Sequence, residues 1–499
     1  MNSILLSFLP GCFYYSLAVN FHMFFSRVTT EKNEKSVFSG NKIFASGQAI
    51  PAASDGVLRS TSHGSLCEPD AKINKRNDAS IGVLNPEMNK YIPENNPAVT
   101  AQGNKTMKDL TLTSGLLGNL PPSETLGSLV KSIELQKQGI EVFPLSVGEP
   151  DFDTPQAVKE ACAEALFRGE TKYTIPAGVG ELREACAAKF CACGIDANAA
   201  QIIVTPGGKF ACAAAITALC GPGDEVILPV PYWVSHLHMI RASGAKPVFV
   251  QTFPENNFEL TEEDLVRYVT PQTRLVVLCS PSNPTGAVYS QKALETIADY
   301  ALKNNFMILS DEVYERLAYD PDHPHISIAS LDRTVNEHTV TVNSFSKSYA
   351  MTGWRVGYLT APAWLSVKID ALQTHFVANV TTFAQFGALK ALQGECEKEC
   401  GQMKAAFARR RELFCSLLAD IPGIRFVRPS GAFYVFVDIS SFGMDSMTFC
   451  NKLMDEVHIA AAPGCGFGTE GFIRFSYACS ENVISKALAR FAEFCAKAK

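Results

Sequence analysis

From Asn119 onward, short apolar runs alternate with helix-period patterns and brief turn signals, and few architectures accept that alternation. Runs such as Leu275-Val276-Val277-Leu278 and Met307-Ile308-Leu309 are continuous rather than every-other-residue, which suits strands covered on both faces. Strands are predicted at Val142 to Val147, Gln201 to Thr205, Glu225 to Pro229, Lys246 to Gln251, Leu275 to Leu278 and Phe306 to Ser310. Helices are predicted at Pro155 to Phe167, Gly180 to Cys193, Lys209 to Leu219, Tyr232 to Ala242 and Gln291 to Asn304. The order is βαβα, so the fold class is α/β, a mainly parallel sheet with helices on both faces. From Cys400 to Lys499 the pattern changes to helix, strand (Ala432 to Val437), helix, strand (Phe472 to Tyr477), helix, which predicts a smaller α+β domain.

Composition narrows the function. In 499 residues, 47% are hydrophobic and 19% charged, a balance that fits two or three globular domains. With 50 Asp+Glu against 44 Lys+Arg there is no broad basic surface, so nucleic acid is not expected as a partner. The 16 cysteines are too sparse for a disulfide scaffold, and Cys162, Cys212 and Cys279 sit in apolar or alanine-rich contexts that read as reduced core thiols. Cys191-x-Cys193 and Cys396-x-x-x-Cys400 lack a second ligand pair at zinc-site spacing, so no metal is expected. The alternating pairs His236/His238 and His323/His325 have no third ligand at short range and read as solvated or packed imidazoles.

The first 110 residues differ from the rest. Ile4 to Phe25 is apolar and uncharged, like a signal-peptide core, and Ser26 to about Leu110 carries Pro51, Pro69, Pro86, Pro93 and Pro97 with no sustained apolar period. Such a stretch cannot bury enough surface to offset its ordering entropy. Residues 1 to 110 are therefore expected to be a cleaved targeting extension, with a bipartite plastid leader favoured over a mitochondrial presequence, for which arginines are too few. Pro10, Gly11, Asn20 and His22 argue against a membrane anchor, and the mature form is expected to lack a span.

Polar residues cluster where the apolar strands stop. Ser280-Pro-Ser-Asn283-Pro-Thr-Gly286 follows one strand, Asp311-Glu-Val-Tyr314 another, and Val340 to Ser346 leads a third into Lys347, with Arg355 eight residues later. Ligands of parallel sheets lie at the carboxyl ends of strands. A lysine, a carboxylate, a phenol and an amide converging there suit pyridoxal phosphate: an amine to form a Schiff base, an acid beside the pyridine nitrogen, and neutral donors to the ring oxygen. Gly207-Gly208-Lys209 opening a helix offers backbone amides to a phosphate. The Gly464 to Gly468 run lacks the third glycine of a dinucleotide loop and reads as a turn.

These segments resemble the class I (fold type I) pyridoxal phosphate aminotransferases, in particular the bacterial-type and plastid aspartate aminotransferase subgroup. The resemblance runs from about Pro122 to Ala496. It rests on Gly148-Glu-Pro-Asp-Phe-Asp, Lys172-Tyr-Thr, Gly207-Gly-Lys, Pro231-Tyr-Trp-Val-Ser, Ser282-Asn-Pro-Thr-Gly, Asp311-Glu-Val-Tyr, Ser344-Phe-Ser-Lys, Met351-Thr-Gly-Trp-Arg, Pro429-Ser-Gly-Ala-Phe-Tyr and Ile473-Arg-Phe-Ser-Tyr-Ala. It implies a seven-stranded-type sheet in a large cofactor domain (151–395). The rest would be an N-terminal arm and the start of the small domain (111–150) and a small C-terminal domain (396–499). It also implies a homodimer with shared active sites.

By the same resemblance, Lys347 would carry pyridoxal 5'-phosphate and act as the acid/base, and Asp311 would pair with the pyridinium. Asn283 and Tyr314 would donate to the ring oxygen, and Trp233 would stack on the ring. Gly208, Lys209, Ser344, Ser346 and Arg355 would surround the phosphate, with Tyr173 reaching it from the other subunit. Arg474 would take the substrate α-carboxylate beside the Gly148 backbone, Trp233 and Asn283 would also border the substrate, and Lys209 would take the distal carboxylate; the alternative is an outward-facing lysine. The implied reaction is amino-group exchange between aspartate and 2-oxoglutarate, the substrates being small amino and keto acids. Pro121 stands where prephenate-accepting members tend to have lysine, which puts prephenate in doubt. The rival readings are a same-fold aromatic or alanine aminotransferase, a carbon-sulfur lyase, and a cofactor-sensing regulatory module, for which residues 1 to 110 show no helix-turn-helix pattern.

Overall fold

The structure is a computed structural model and describes residues 124–498. The expected targeting extension and Pro121 lie outside the described residues. A seven-stranded sheet forms the centre of the larger domain: β1 (Ile202–Thr205), β2 (Glu225–Val230), β3 (Lys246–Gln251), β4 (Thr273–Cys279), β5 (Met307–Asp311), β6 (Thr339–Ser344) and β7 (Gly357–Thr360), in the spatial order β1-β7-β6-β5-β4-β2-β3. The β2–β6 pairings are parallel, whereas β7 runs antiparallel to both β1 and β6. The sheet is therefore mainly parallel, as the sequence implies. β7 is the strand that the apolar pattern does not single out.

The continuous apolar runs have the expected cause. Leu275 and Val277 of β4 pack into a cluster with Ala211, Ala214 and Ala215 of the helix Gly208–Leu219. Val276 and Leu278 pack on the opposite face against Leu294, Ile297 and Ala301 of the helix Gln291–Asn304. Successive side chains of a strand point to opposite faces, so a strand with helices on both sides has no solvent-facing position left for a polar residue. Full burial of one such Leu or Val is worth about 1.5–3 kcal/mol. The small residues of the helix Gly208–Leu219 let it lie close on the sheet, which sets its N-terminus at the strand-end crevice.

The smaller domain has a four-stranded antiparallel sheet in the order β10-β11-β9-β8, comprising β8 (Arg425–Phe426), β9 (Tyr434–Asp438), β10 (Ala462–Pro463) and β11 (Phe472–Ser476). The helices Glu397–Ala419, Ser446–Val457 and Glu481–Lys497 supply its core. In the last of these, Ile484, Ala487, Leu488, Phe491, Phe494 and Cys495 repeat at helical spacing and are buried. Ser480 caps its start by accepting from the Val483 amide. Among the described residues no helix is long and apolar enough to cross a membrane.

One expectation is corrected. Val142 to Val147 is not a strand: it makes one bridge, Phe143 to Ile459, before turning, because Pro144 has no amide to donate to a ladder. It still packs into the small-domain core through Phe143 and Leu145, and Leu145 accepts the Ser476 amide at 2.6 Å. The Gly464 to Gly468 turn is a short 3-10 helix, Gly464–Phe467, closed by Gly468. His236 and His238 sit on the helix Val234–Ser243, within the span Tyr232 to Ala242 predicted as helix.

Candidate active site

β4, β5 and β6 are parallel and end at one edge, so the loops that follow them meet there. They border a cavity of about 460 Å³. Of the residues singled out in the sequence, Gly148, Gly208, Lys209, Trp233, Asn283, Asp311, Tyr314, Ser344, Ser346, Lys347, Arg355 and Arg474 all line it. Tyr173 does not. It is 89% exposed on the surface of its own chain.

Lys347 lies on the one-turn helix Phe345–Ser348 directly after β6, whose start is capped by the Ser344 side chain accepting from the Ser346 amide. Its Nζ donates to the Gly148 carbonyl at 2.5 Å, which aims the amine into the cavity. Burial lowers the Lys347 pKa to about 8; Glu149 opposes the shift, and Arg355, Arg474 and Lys209 add to it. Above that pH the amine is neutral and nucleophilic; below it the amine carries its proton.

Asp311 is the last residue of β5 and is buried. His236 Nε2 lies 3.2 Å from Oδ2, and the Val313 amide donates to Oδ1 at 3.4 Å. Among the described residues neither lysine nor arginine forms an ion pair with this carboxylate. A buried anion in that state needs a cation from elsewhere.

The far end of the cavity suits an anion. Gly207 precedes the helix Gly208–Leu219 with φ 83°, a left-handed conformation, and a Cβ there would stand 2.5 Å from Arg355 Nη2. The first amides of that helix have no intrahelical partner. Arg355 Nη1 donates to the Thr352 carbonyl at 2.7 Å, and the Ser344 and Ser346 hydroxyls pair at 2.9 Å. Lys209 is exposed as a residue but borders the cavity, with Nζ 5.1 Å from the Trp233 ring centre. Burial, and then Arg355, lower its pKa.

The third wall comes from the small sheet. Arg474, in the middle of β11, is buried and donates from Nη1 to Asn283 Oδ1 at 2.8 Å and from Nη2 to the Ser146 carbonyl at 2.7 Å. Its Nε has no hydrogen-bond partner. The guanidinium lies 4.4 Å from the Tyr434 ring centre and 5.1 Å from that of Phe467. Tyr434 shares a 2.9 Å hydroxyl hydrogen bond with Tyr314, and a Cβ at Gly148 would meet the Tyr434 hydroxyl at 2.9 Å.

Several lining residues are not singled out by the sequence. Tyr434 and Thr352 sit inside the family motifs, so a signal exists for them. Ser146 enters through its carbonyl and Phe467 through a glycine-rich turn, neither of which a side-chain pattern announces. Cys279, expected as a core thiol, lines the cavity instead. His236 is packed, as expected, but against Asp311.

The residues present fit pyridoxal phosphate on three observations. The buried Asp311 lacks a cation, the serine, glycine and Arg355 end lacks an anion, and the Lys347 amine lies on the cavity wall between elements that carry both. A mainly parallel seven-stranded sheet with this crevice defines a fold type I pyridoxal phosphate-dependent transferase. The family described as "Aminotransferase class I and II" matches residues 140–491, and the chain belongs to it. It is 42% identical over 379 residues to the "Probable aspartate/prephenate aminotransferase" of Aquifex aeolicus, covering 75% of this chain and 96% of that protein. The "Aspartate aminotransferase" of Bacillus subtilis is 38% identical over 384 residues, 76% of this chain and 97% of its own. The solved aspartate aminotransferase from Thermus thermophilus with maleate superposes with a TM-score of 0.73 at 41% identity, covering 76% of this chain and 99% of its own.

Proposed function

We propose that the chain moves an amino group between L-aspartate and 2-oxoglutarate, giving oxaloacetate and L-glutamate, in two half-reactions at one site. The observation that carries the reading is that Lys209 and Arg474, neither of them paired with a carboxylate among the described residues, line one cavity with Lys347. Two carboxylates are what distinguishes aspartate and glutamate from other amino acids. The names of the Aquifex and Bacillus relatives support the same choice.

Pyridoxal phosphate, when bound, supplies a protonated ring that accepts the electron pair left on the substrate α-carbon. Asp311 holds the proton on the ring nitrogen, and His236 and the Val313 amide orient that carboxylate. Ser344, Ser346, Arg355 and the Gly208 and Lys209 amides hold the phosphate. Asn283 and Tyr314 would donate to the ring oxygen, and Trp233 would border the ring. Lys347 Nζ would hold the cofactor, and as the cavity's amine it would take the proton from the substrate α-carbon. Arg474 receives the α-carboxylate through its free Nε and the Nη groups now on Asn283 and Ser146, and Lys209 receives the distal carboxylate.

The homodimer is part of the proposal, with Tyr173 of one protomer completing the phosphate site of the other. The exposed Phe167, Tyr173, Ile175, Phe376 and Val377 support it. Their segments are tied by Gln373 donating to the Pro176 carbonyl and Thr382 to the Lys172 carbonyl. Delivery to a plastid by residues 1 to 110 is the accompanying proposal, which a fluorescent fusion of that segment tests.

An amino-donor panel on the purified chain, followed through the cofactor's visible band, tests the reaction. The band is expected to disappear with aspartate or glutamate and to return with oxaloacetate or 2-oxoglutarate. A band that responds to aromatic or neutral amino acids and not to dicarboxylates would overturn the substrate assignment. Prephenate, named for the Aquifex relative, belongs in the acceptor arm.

A further inference from the structure

Behind Asp311 stands a cluster of which the transamination reading uses Asp311 and His236 and leaves Cys212 without a role. Sγ of Cys212, a ring nitrogen of His236 and a carboxylate oxygen of Asp311 all lie within 4.8 Å of one another, and all three residues are buried. They come from three separate elements: the helix Gly208–Leu219, the helix Val234–Ser243 and the end of β5. No spacing rule identifies them.

We propose that, when pyridoxal phosphate is absent, Cys212, His236 and Asp311 bind a soft divalent cation of the zinc class, and that this metal and the cofactor exclude one another.

The donor set of one thiolate, one imidazole and one carboxylate is a zinc-type set, which magnesium and calcium disfavour because they take oxygen ligands. Charge supports the assignment. A thiolate and a carboxylate contribute two negative charges, which a divalent cation neutralises, so the burial that would forbid an isolated ion is compensated. Bonds to zinc of about 2.0–2.3 Å require these donors to lie between three and four ångströms apart. The His236 to Asp311 separation of 3.2 Å already meets that requirement, and the remaining separations need only a modest contraction. Asp311 also lines the cavity, through which the ion arrives and from which a water completes a fourth position.

The step balances without an oxidant. The Cys212 S–H bond breaks, a sulfur–metal bond forms, and the proton leaves to solvent through the cavity. Ligand thiols bind such metals deprotonated, so the metal displaces that proton. The exclusion half rests on the reading of Asp311 as the partner of the pyridine nitrogen, since one carboxylate cannot serve both cations. The binding half does not depend on it.

The test uses the full chain stripped of cofactor, with cobalt(II) as the spectroscopic probe and zinc(II) as the competitor. The wild type is expected to show a near-ultraviolet thiolate-to-cobalt absorption that is lost when pyridoxal phosphate is added. Equimolar zinc is expected to hold back reloading of the visible band until a chelator removes the metal. Cys212→Ala, which removes little volume from an alanine-rich helix, should lose the cobalt band and the zinc effect, while magnesium should do nothing in either protein. His236→Asn is the second variant and should lose both signals in the same way. An unchanged cobalt band in Cys212→Ala would overturn the site, because the other thiols would then be the ligands. A cobalt band that survives cofactor loading would overturn the exclusion. A protein that binds cobalt through Cys212 but never develops a pyridoxal phosphate band would instead overturn the reading of the cavity and leave the metal centre standing.

Discussion

The two sheets deliver chemistry in different ways. In the seven-stranded sheet the functional side chains of β4 to β6 sit at or just past a strand end: Asn283 past β4, Asp311 ending β5 with Tyr314 past it, and Ser344 ending β6 with Lys347 past it. In the four-stranded sheet Arg474 and Tyr434 are strand residues, held by the antiparallel ladder between β9 and β11. A parallel sheet covered on both faces has no free face, so only its edge can hold a polar crevice. A small antiparallel sheet can spare one position per strand for a buried cation, provided that rings and carbonyls surround it. The first arrangement builds the cofactor's place, and the second brings the substrate's grip.

On that division the largest effect comes from the strand-end carboxylate. Asp311→Ala should weaken pyridoxal phosphate binding by about 3–5 kcal/mol, the usual cost of leaving one charge of a buried pair alone. A titration of the visible band measures it. Retention of full affinity would show that the edge of the parallel sheet is not where the cofactor is gripped.

Arg474→Ala should sharpen the contrast from the other side. Cofactor affinity is expected to stay near the wild-type value, while kcat/KM for aspartate falls by about 2–3 kcal/mol of lost carboxylate recognition. Steady-state kinetics beside the same titration separates the two. Equal losses in both would erase the division of labour between the sheets.

Glu312 provides a control on the opposite side of β5. It follows Asp311 directly and is equally buried, yet it accepts from Ser310 at 2.8 Å and Ser327 at 2.6 Å and faces His325 at 3.2 Å, outside the cavity. Its acceptor capacity is used by the fold, whereas Asp311 is left short of a cation. Glu312→Gln should therefore cost about 1–3 kcal/mol in denaturant-measured stability, with kcat/KM nearly unchanged. A loss of activity without a loss of stability would place Glu312 in the chemistry.

That pair also shows what the sequence can and cannot disclose. Polar residues after apolar runs mark strand ends, so the Asp311 and Lys347 side of the cavity is legible from periodicity alone. Which of two adjacent acids faces the ligand follows from the pleat, and the period-2 rule assigns opposite faces without saying which face opens. Val142 to Val147 reads as a strand when its apolar pattern is allowed to outweigh Pro144, whose missing amide ends a ladder. Ser146, Phe467 and the Cys212, His236 and Asp311 cluster are illegible for a different reason. They are brought together by tertiary packing across elements and leave no mark at fixed spacing.

The smallest expected effect tests whether the two sheets act on each other. Arg474 from β11 and Arg355 from beyond β6 both help to lower the Lys347 pKa to about 8, and Glu149 holds it up. In the cofactor-free chain the amine is protonated below that pH and neutral above it, so the rate of pyridoxal phosphate capture should rise through pH 8 and then level. Removing a neighbouring cation makes the protonated form easier to hold, so Arg474→Gln should move that midpoint upward. Removing the anion does the reverse, and Glu149→Gln should move it downward. Capture rates followed by absorbance between pH 6 and pH 10 read both shifts. Coincident midpoints in wild type and both variants would mean that burial alone sets the lysine, and that the small sheet supplies a binding group without tuning the base.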